Sequence, residues 1–97
     1  MAVNKNAVIR YMYLDQMLSD RHHYYTRAEL TEKCNERLRM DSFSEVTKRT
    51  IEMDLIALQD APFSMEVIED SDIIAGKRVI RYADQSQSLF AKPMTAD

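Results

Sequence analysis

The stretch of residues 46–59, VTKRTIEMDLIALQ, constrains the fold of this 97-residue chain more than any other. Ile51, Leu55 and Leu58 recur at i, i+4 and i+7, so they form one narrow apolar stripe on a helix of 3.6 residues per turn. Thr47 precedes the stripe and is placed to cap the first turn through its hydroxyl. The side chains that point away from the stripe are Arg49, Glu52, Met53 and Ile56. The pattern predicts a helix over residues 48–59 with one buried stripe and one mixed face.

Two positive side chains, Lys48 and Arg49, stand at the N-terminal end of this predicted helix. Positive charge at a helix N-terminus opposes the helix dipole. An external anion would offset that cost, and the backbone phosphate of DNA commonly takes this position. The charge pattern therefore indicates a nucleic acid as a candidate partner.

A first helix is predicted over residues 5–19, where two apolar rows run along the chain. The main stripe is Ala7, Tyr11, Leu14 and Leu18, and the second row is Ile9, Tyr13 and Met17. A helix that faced the core on one side only would need one of these rows and not both. The second row indicates either a central helix buried on two sides or a face that contacts a second subunit or a further domain.

A second helix is predicted over residues 27–39, because Thr26 and Glu29 have the spacing of a capping box. Its apolar row is Leu30, Cys34 and Leu38. We expect Cys34 in the core, and as the only cysteine it excludes an intrachain disulfide and favours a reducing compartment. The N–H groups beside Thr26 and Arg27 are also placed to receive a phosphate. The connection over residues 40–45 is longer than a tight helix-turn-helix turn, and we expect Phe43 to anchor it to the core.

A hairpin is predicted after the third helix, which Pro62 ends. Residues 65–70 and 77–82 have the β-branched content of two short strands. Gly76 is the only glycine and indicates a turn with positive φ, although the sequence leaves the turn open between residues 70–72 and residues 75–76. The predicted fold is mainly α (α+β): a three-helix winged helix-turn-helix with a C-terminal two-stranded β-hairpin wing.

The formal net charge of −3 counts against a dedicated nucleic-acid-binding domain. The charge is unevenly distributed, however. Acids lie at Glu66, Glu69, Asp70 and Asp72, and Lys77, Arg78 and Arg81 follow them without an acidic neighbour in the sequence. This order predicts a local positive edge on an acidic chain, with modest non-specific DNA affinity. The chain has neither a signal peptide nor a long apolar run, so we expect it to be cytoplasmic, without a membrane partner.

Residues 50–58, TIEMDLIAL, resemble the Thr-Ile-x-x-Asp-Leu-x-x-Leu recognition helix of DeoR-type winged helix-turn-helix regulators, most closely those with a C-terminal WYL domain. Three further pieces resemble the same subgroup in order and spacing. Residues 5–14 resemble its first helix, residues 25–30 the entry to its second helix, and residues 79–84 the end of its wing. The resemblance covers most of residues 5–93.

This resemblance implies a bacterial transcriptional regulator. Residues 1–84 would be its winged helix-turn-helix DNA-binding domain, and residues 85–97 a linker toward a WYL-type domain that is absent from this chain. The expected partners are double-stranded DNA and, as for many helix-turn-helix regulators, a second copy in a homodimer. An effector ligand, if there is one, would bind the missing domain.

The leading functional hypothesis is sequence-specific DNA binding. The helix over residues 48–59 would enter the major groove, and the wing over residues 65–82 would lie on the backbone or in the minor groove. The predicted DNA-binding residues are Thr26, Arg27, Thr47, Lys48, Arg49, Thr50, Glu52, Met53, Lys77, Arg78 and Arg81.

Individual roles follow from side-chain chemistry. Arg49 is the candidate for bidentate contact with guanine, and Met53 and Ile56 for contact with thymine methyl groups. Alternatively, Glu52, Met53 and Ile56 are merely an exposed helix face, with Ile56 packed under the wing. Asp54 is rotated toward the apolar stripe, so we expect a structural pairing or capping role for it and not a DNA contact.

A second hypothesis is a winged helix that serves as a protein–protein interaction or dimerisation module without DNA binding. The acidic balance and the second apolar row of the first helix favour it, and fold alone does not choose between the two. The discriminating feature is whether Lys48, Arg49, Lys77 and Arg78 form one continuous positive surface. We expect no enzyme, no cofactor and no metal site, because the sequence has no catalytic or metal-ligand pattern at meaningful spacing.

Overall fold

The computed structural model describes the backbone of residues 5–72 and 76–88, and the side chains of residues 7–70 and 76–88. Its elements in chain order are α1 (Lys5–Leu18), α2 (Arg27–Met40), α3 (Lys48–Gln59), β1 (Val67–Asp72) and β2 (Lys77–Tyr82). Three helices followed by an antiparallel hairpin confirm the predicted winged helix-turn-helix layout. Over these ranges, none of the helices has the length and apolar character needed to span a bilayer.

Helix α1 is the centre of the core. Leu14 and Leu18 of its main stripe are fully buried. Its second row also packs on the core, since Tyr13 is only 6% exposed and the partly buried Ile9 and Met17 lie against the same core cluster. The interpretation of α1 as a helix buried on two sides is therefore confirmed, and its second row is covered within the chain.

Helices α2 and α3 form as their local sequence predicts. Thr26 and Glu29 make the reciprocal capping box of α2, and Thr47 caps α3 by accepting a hydrogen bond from the Thr50 N–H. The buried rows that the two helices contribute to the core are Leu30, Cys34 and Leu38 from α2, and Ile51, Leu55 and Leu58 from α3. Burial raises the pKa of the Cys34 thiol to about 11, so this cysteine is a core residue and a poor nucleophile.

The connection between α2 and α3 is held by a side chain that the sequence analysis did not single out. The Asn35 amide donates to the Val46 carbonyl at 2.9 Å and accepts from the Val46 N–H at 2.8 Å. Phe43 packs against the core, as predicted, and its N–H donates to the Leu38 carbonyl at 2.7 Å. These bonds tie the start of α3 to α2, so the longer connection still fixes the angle between the helices.

The first strand begins two residues later than predicted. Met65 was expected inside it, but the Met65 N–H donates to the Leu58 carbonyl at 2.9 Å and its side chain is buried in the core. Pairing starts at Val67, opposite Tyr82. The predicted start was wrong because Met65 completes the packing at the end of α3 and does not take part in the ladder.

The hairpin register decides the position of the turn. Asp70 and Asp72 are both paired within β1, and Asp72 lies opposite Lys77, so the alternative of a turn at residues 70–72 is wrong. The connection lies between those two residues. Gly76, immediately before β2, has φ +68°, which confirms the positive φ predicted for the glycine.

The hairpin is joined to the helical body on its second edge. Tyr25, just before α2, forms an antiparallel bridge with Ile80, whose N–H donates to the Tyr25 carbonyl at 2.8 Å. Tyr82 is fully buried, and its hydroxyl donates to the buried carboxylate of Asp15 on α1 at 2.7 Å. Strand β2 thus has β1 on one side and Tyr25 on the other, which sets the hairpin beside α3.

Candidate nucleic-acid interface

The outward face of α3 is an exposed surface that carries both charged and apolar side chains. Lys48 and Arg49 of its first turn are exposed, and neither forms an ion pair with any side chain that the structure describes. Met53 and Ile56 follow along the same helix and are 55% and 57% exposed. This face therefore combines two free cations with an apolar patch, as the helical spacing predicted.

The opposite face of α3 is locked to α1 by a charged pair. The Arg10 guanidinium donates to both oxygens of Asp54, with Nε–Oδ2 at 2.6 Å and Nη2–Oδ1 at 3.1 Å. The side chains of Arg10 and Asp54 are only 12% and 6% exposed. The hydrogen bond to Asp54 raises the pKa of Arg10, so the guanidinium stays charged. The predicted structural role of Asp54 is confirmed.

A groove lies between α3 and the hairpin, with a volume of about 520 Å³. It brings together side chains from the start of α2, from α3 and from both strands. The charged residues that line it are Arg27, Lys48, Glu52 and Glu69, and the apolar floor includes Leu55, Ile56, Val67 and Ile80. Three of the predicted DNA-binding residues therefore meet in one place: Arg27, Lys48 and Glu52.

Apart from Lys48, the charged side chains at this groove form ion pairs. The Arg27 Nη1 and Arg78 Nε atoms donate to the same oxygen of Glu69, Oε2, at 2.9 Å and 3.0 Å. Arg27 Nε also lies 3.8 Å from Glu52 Oε2. The hydrogen bonds from Arg27 and then from Arg78 lower the pKa of Glu69, which keeps the carboxylate charged. The groove side of the wing is thus a balanced network of arginines and glutamates.

The basic residues of β2 do not form the unpaired positive edge that the sequence order predicted. Arg78 is held by Glu69, and Arg81, on the other face of the hairpin, pairs with Asp70 at 3.0 Å. Arg81 also lies 5.7 Å from the centre of the Tyr24 ring, and these contacts favour a structural role for it. Lys77 is exposed, opposite Asp72 in the register. The prediction was wrong because the hairpin brings acids across from bases that are distant in sequence.

The three predicted threonines lie at helix starts. The Thr26 hydroxyl accepts from the Glu29 N–H at 3.1 Å, and the Thr47 hydroxyl accepts from the Thr50 N–H at 3.3 Å. The hydroxyl groups of Thr47 and Thr50 are 3.2 Å apart. These bonds account for Thr26 and Thr47 as caps, and a phosphate contact at the same N–H groups stays a prediction.

A comparison with models of known protein families gave no match, and neither the curated proteins nor the solved structures yielded a similar one. The resemblance to DeoR-type regulators thus rests on the residues quoted above and stays a prediction. What the structure supplies independently is a winged helix-turn-helix layout with α3 exposed beside the hairpin.

Proposed function

We propose that this chain binds double-stranded DNA with sequence specificity, as the N-terminal domain of a transcriptional regulator. In this proposal α3 enters the major groove and the hairpin lies along the backbone or the minor groove. The observation that carries the proposal is the outward face of α3, with unpaired Lys48 and Arg49 followed by exposed Met53 and Ile56. Its sequence resemblance to DeoR-type regulators supports the same function.

Each side chain on this face has a chemical counterpart in the major groove. Arginine makes bidentate hydrogen bonds to guanine O6 and N7, which assigns base reading to Arg49. The apolar side chains of Met53 and Ile56 suit thymine methyl groups. Lys48, at the rim of the groove beside the hairpin, suits a backbone phosphate. The chain would act in the bacterial cytoplasm, where DNA is accessible and Cys34 stays reduced.

A second candidate function is a protein-interaction module that uses the same face of α3. The observation that favours it is the pairing of Arg27 and Arg78 with Glu69, which leaves Met53 and Ile56 as the largest exposed feature between the charged groups. An apolar patch rimmed by charge is also typical of protein interfaces. Only the response to DNA separates the two candidates.

The deciding experiment is fluorescence anisotropy of a labelled mixed-sequence duplex over a salt series, with the full chain and two charge-reversal variants. Lys48→Glu/Arg49→Glu changes the α3 face. Arg21→Glu/Lys33→Glu is the matched control, because both residues are exposed, lie outside the groove and give the same net charge. We expect log affinity to fall with log salt at roughly 0.9 per phosphate contact.

At a fixed salt concentration, we expect Lys48→Glu/Arg49→Glu to lose at least about tenfold in affinity, and the control less than about threefold, since phosphate contacts dominate non-specific binding. Equal losses in the two variants would show a general charge effect and overturn the assignment of α3. If the unmodified chain does not bind DNA even at low salt, DNA binding is wrong and the interaction-module function takes its place.

A further inference from the structure

Glu69 is the convergence point of the groove network. Its Oε2 atom accepts from Arg27 Nη1 at 2.9 Å and from Arg78 Nε at 3.0 Å, so α2, β1 and β2 meet at one oxygen. The Glu69 side chain is 28% exposed, whereas those of Arg27 and Arg78 are 42% and 71% exposed. The pairing therefore lies in contact with solvent, where an anion can reach the arginines.

Two arginines that converge on one oxyanion form an arrangement that suits phosphate as well as carboxylate. The Glu69 carboxylate is therefore a built-in anion at a place where a DNA phosphate would otherwise be bound. Lys48 lines the same groove, so a backbone that passed Lys48 would run close to this pair of arginines. Glu69 and the phosphate would then compete for the same N–H donors.

Resting on the DNA-binding function proposed above, we propose that Glu69 is a specificity-determining residue that competes with DNA phosphate for Arg27 and Arg78. A phosphate contact through these same N–H groups must displace Glu69, and the carboxylate also repels a phosphate that approaches the remaining N–H groups. Both effects lower the sequence-independent part of the affinity. The base contact proposed for Arg49 is separate from this competition, since Arg49 forms no hydrogen bond or ion pair with Glu69 among the described side chains. Glu69 thus raises the ratio of specific to non-specific binding.

The two arginines differ in what remains when Glu69 releases them. Arg27 Nε is 3.8 Å from Glu52, so Arg27 keeps an acidic partner. For Arg78, Glu69 is the sole ion-pair partner among the side chains described, and Arg78 is the more exposed of the two arginines. Arg78 is therefore the cation that a phosphate gains most readily once Glu69 is neutralised.

The test measures non-specific affinity for a mixed-sequence duplex over a salt series. The variants are Glu69→Gln, Arg78→Gln and the double variant Glu69→Gln/Arg78→Gln. The matched control is Glu66→Gln, which removes the same charge from an exposed residue close by that forms no ion pair with the described side chains. Thermal unfolding by circular dichroism checks that each variant is folded.

We expect Glu69→Gln to raise the affinity for DNA about tenfold at about 0.1 M salt. The slope of log affinity against log salt should steepen by about 0.9 to 1.8, because one or two further phosphates are contacted. Glu66→Gln should change the affinity less than about threefold. Arg78→Gln should have little effect in the unmodified chain, yet remove most of the gain in the Glu69→Gln background. If the gain in Glu69→Gln requires Arg78, it comes from the release of that arginine and not from the general change in net charge.

The outcomes distinguish this inference from the function on which it rests. If the unmodified chain binds DNA through Lys48 and Arg49 but Glu69→Gln behaves like Glu66→Gln, the competition is wrong and DNA binding stands. If neither the unmodified chain nor Glu69→Gln binds DNA at low salt, both proposals are wrong. If Glu69→Gln binds where the unmodified chain does not, and Arg78→Gln reverses this, the competition is supported.

Discussion

Two of the arginine–carboxylate sites among the described side chains share their chemistry and differ in their surroundings. Between α1 and α3, Arg10 and Asp54 are joined through both carboxylate oxygens, with side chains 12% and 6% exposed. Between the hairpin and α2, Glu69 receives two arginines through one oxygen, and the most exposed of the three side chains, Arg78, is 71% exposed.

This difference in burial separates an ion pair that stabilises the fold from one in which another anion can replace the carboxylate. Removing one partner of a buried pair leaves an uncompensated charge in a medium of low dielectric constant. At an exposed pair, water and salt compensate the remaining charge, so its contribution to stability is small. Burial, and not the presence of opposite charges, therefore decides which carboxylate is structural and which can serve binding.

The largest effect is expected for Asp54→Ala, which leaves the Arg10 guanidinium buried without its partner. Breaking a buried pair in this way destabilises proteins by roughly 3–5 kcal/mol. The free energy of unfolding is measured by urea denaturation followed by circular dichroism. A loss below about 1 kcal/mol would place Asp54 with the exposed pairs and remove the contrast between the two sites.

The control for this substitution removes both charges. Arg10→Met/Asp54→Leu replaces the pair by apolar side chains of similar size, and such replacements are often neutral or stabilising. We expect the double variant to recover most of the stability that Asp54→Ala loses. If the double variant is as unstable as Asp54→Ala, the packing of the helices and not the unpaired charge causes the loss.

A smaller effect is expected at the base of the hairpin, for Tyr82→Phe. The Tyr82 hydroxyl donates to the buried Asp15 carboxylate at 2.7 Å, and burial together with this bond raises the pKa of the phenol. Removing a hydrogen bond to a charged group costs about 1.5–3 kcal/mol. Tyr24→Phe, at a tyrosine 39% exposed, should change the free energy of unfolding by less than about 0.5 kcal/mol. Equal changes in the two variants would show that the Asp15 bond does not anchor the hairpin.

What the sequence predicted correctly depends on local chemistry. Each correct prediction of local structure involves residues that are close together in the sequence. The examples are the stripe of α3, the capping box at Thr26 and Glu29, and the positive φ of Gly76. Periodicity and capping act over such distances, so they are visible in a single sequence. The start of β1 was misplaced because Met65 has the character of a strand residue, whereas its burial depends on the end of α3.

The part of the site that was missed depends on register. Glu69 lies opposite Ile80, which sets it diagonally across from Arg78, and no local pattern reveals this pairing. One signal was present, however. Acids precede the turn and bases follow it, so folding the hairpin between Asp72 and Lys77 brings the two groups onto neighbouring strands. The Tyr25–Ile80 bridge had no comparable signal, because it joins segments that are far apart in sequence.

The smallest effect is expected for the pH dependence of the Glu69 pairing. The arginines hold the pKa of Glu69 below its ordinary value. The pairing therefore stabilises the fold above the unfolded-state pKa of glutamate, about 4.3, and this contribution is lost as the pH falls through the lowered folded-state pKa. In low salt, the chain should unfold at a slightly higher temperature than Glu69→Gln at about pH 7, and this difference should shrink as the pH falls below about 4.3.

Salt should erase the same difference at about pH 7, because the pair is exposed. The stability lost in Asp54→Ala should persist at that salt concentration, since its partner Arg10 is buried and poorly screened. The difference in unfolding temperature between the unmodified chain and Glu69→Gln could instead persist at both high salt and low pH. Glu69 would then hold the hairpin in place as Asp54 holds α3. Glu69 would then have no freedom to exchange its arginines with phosphate.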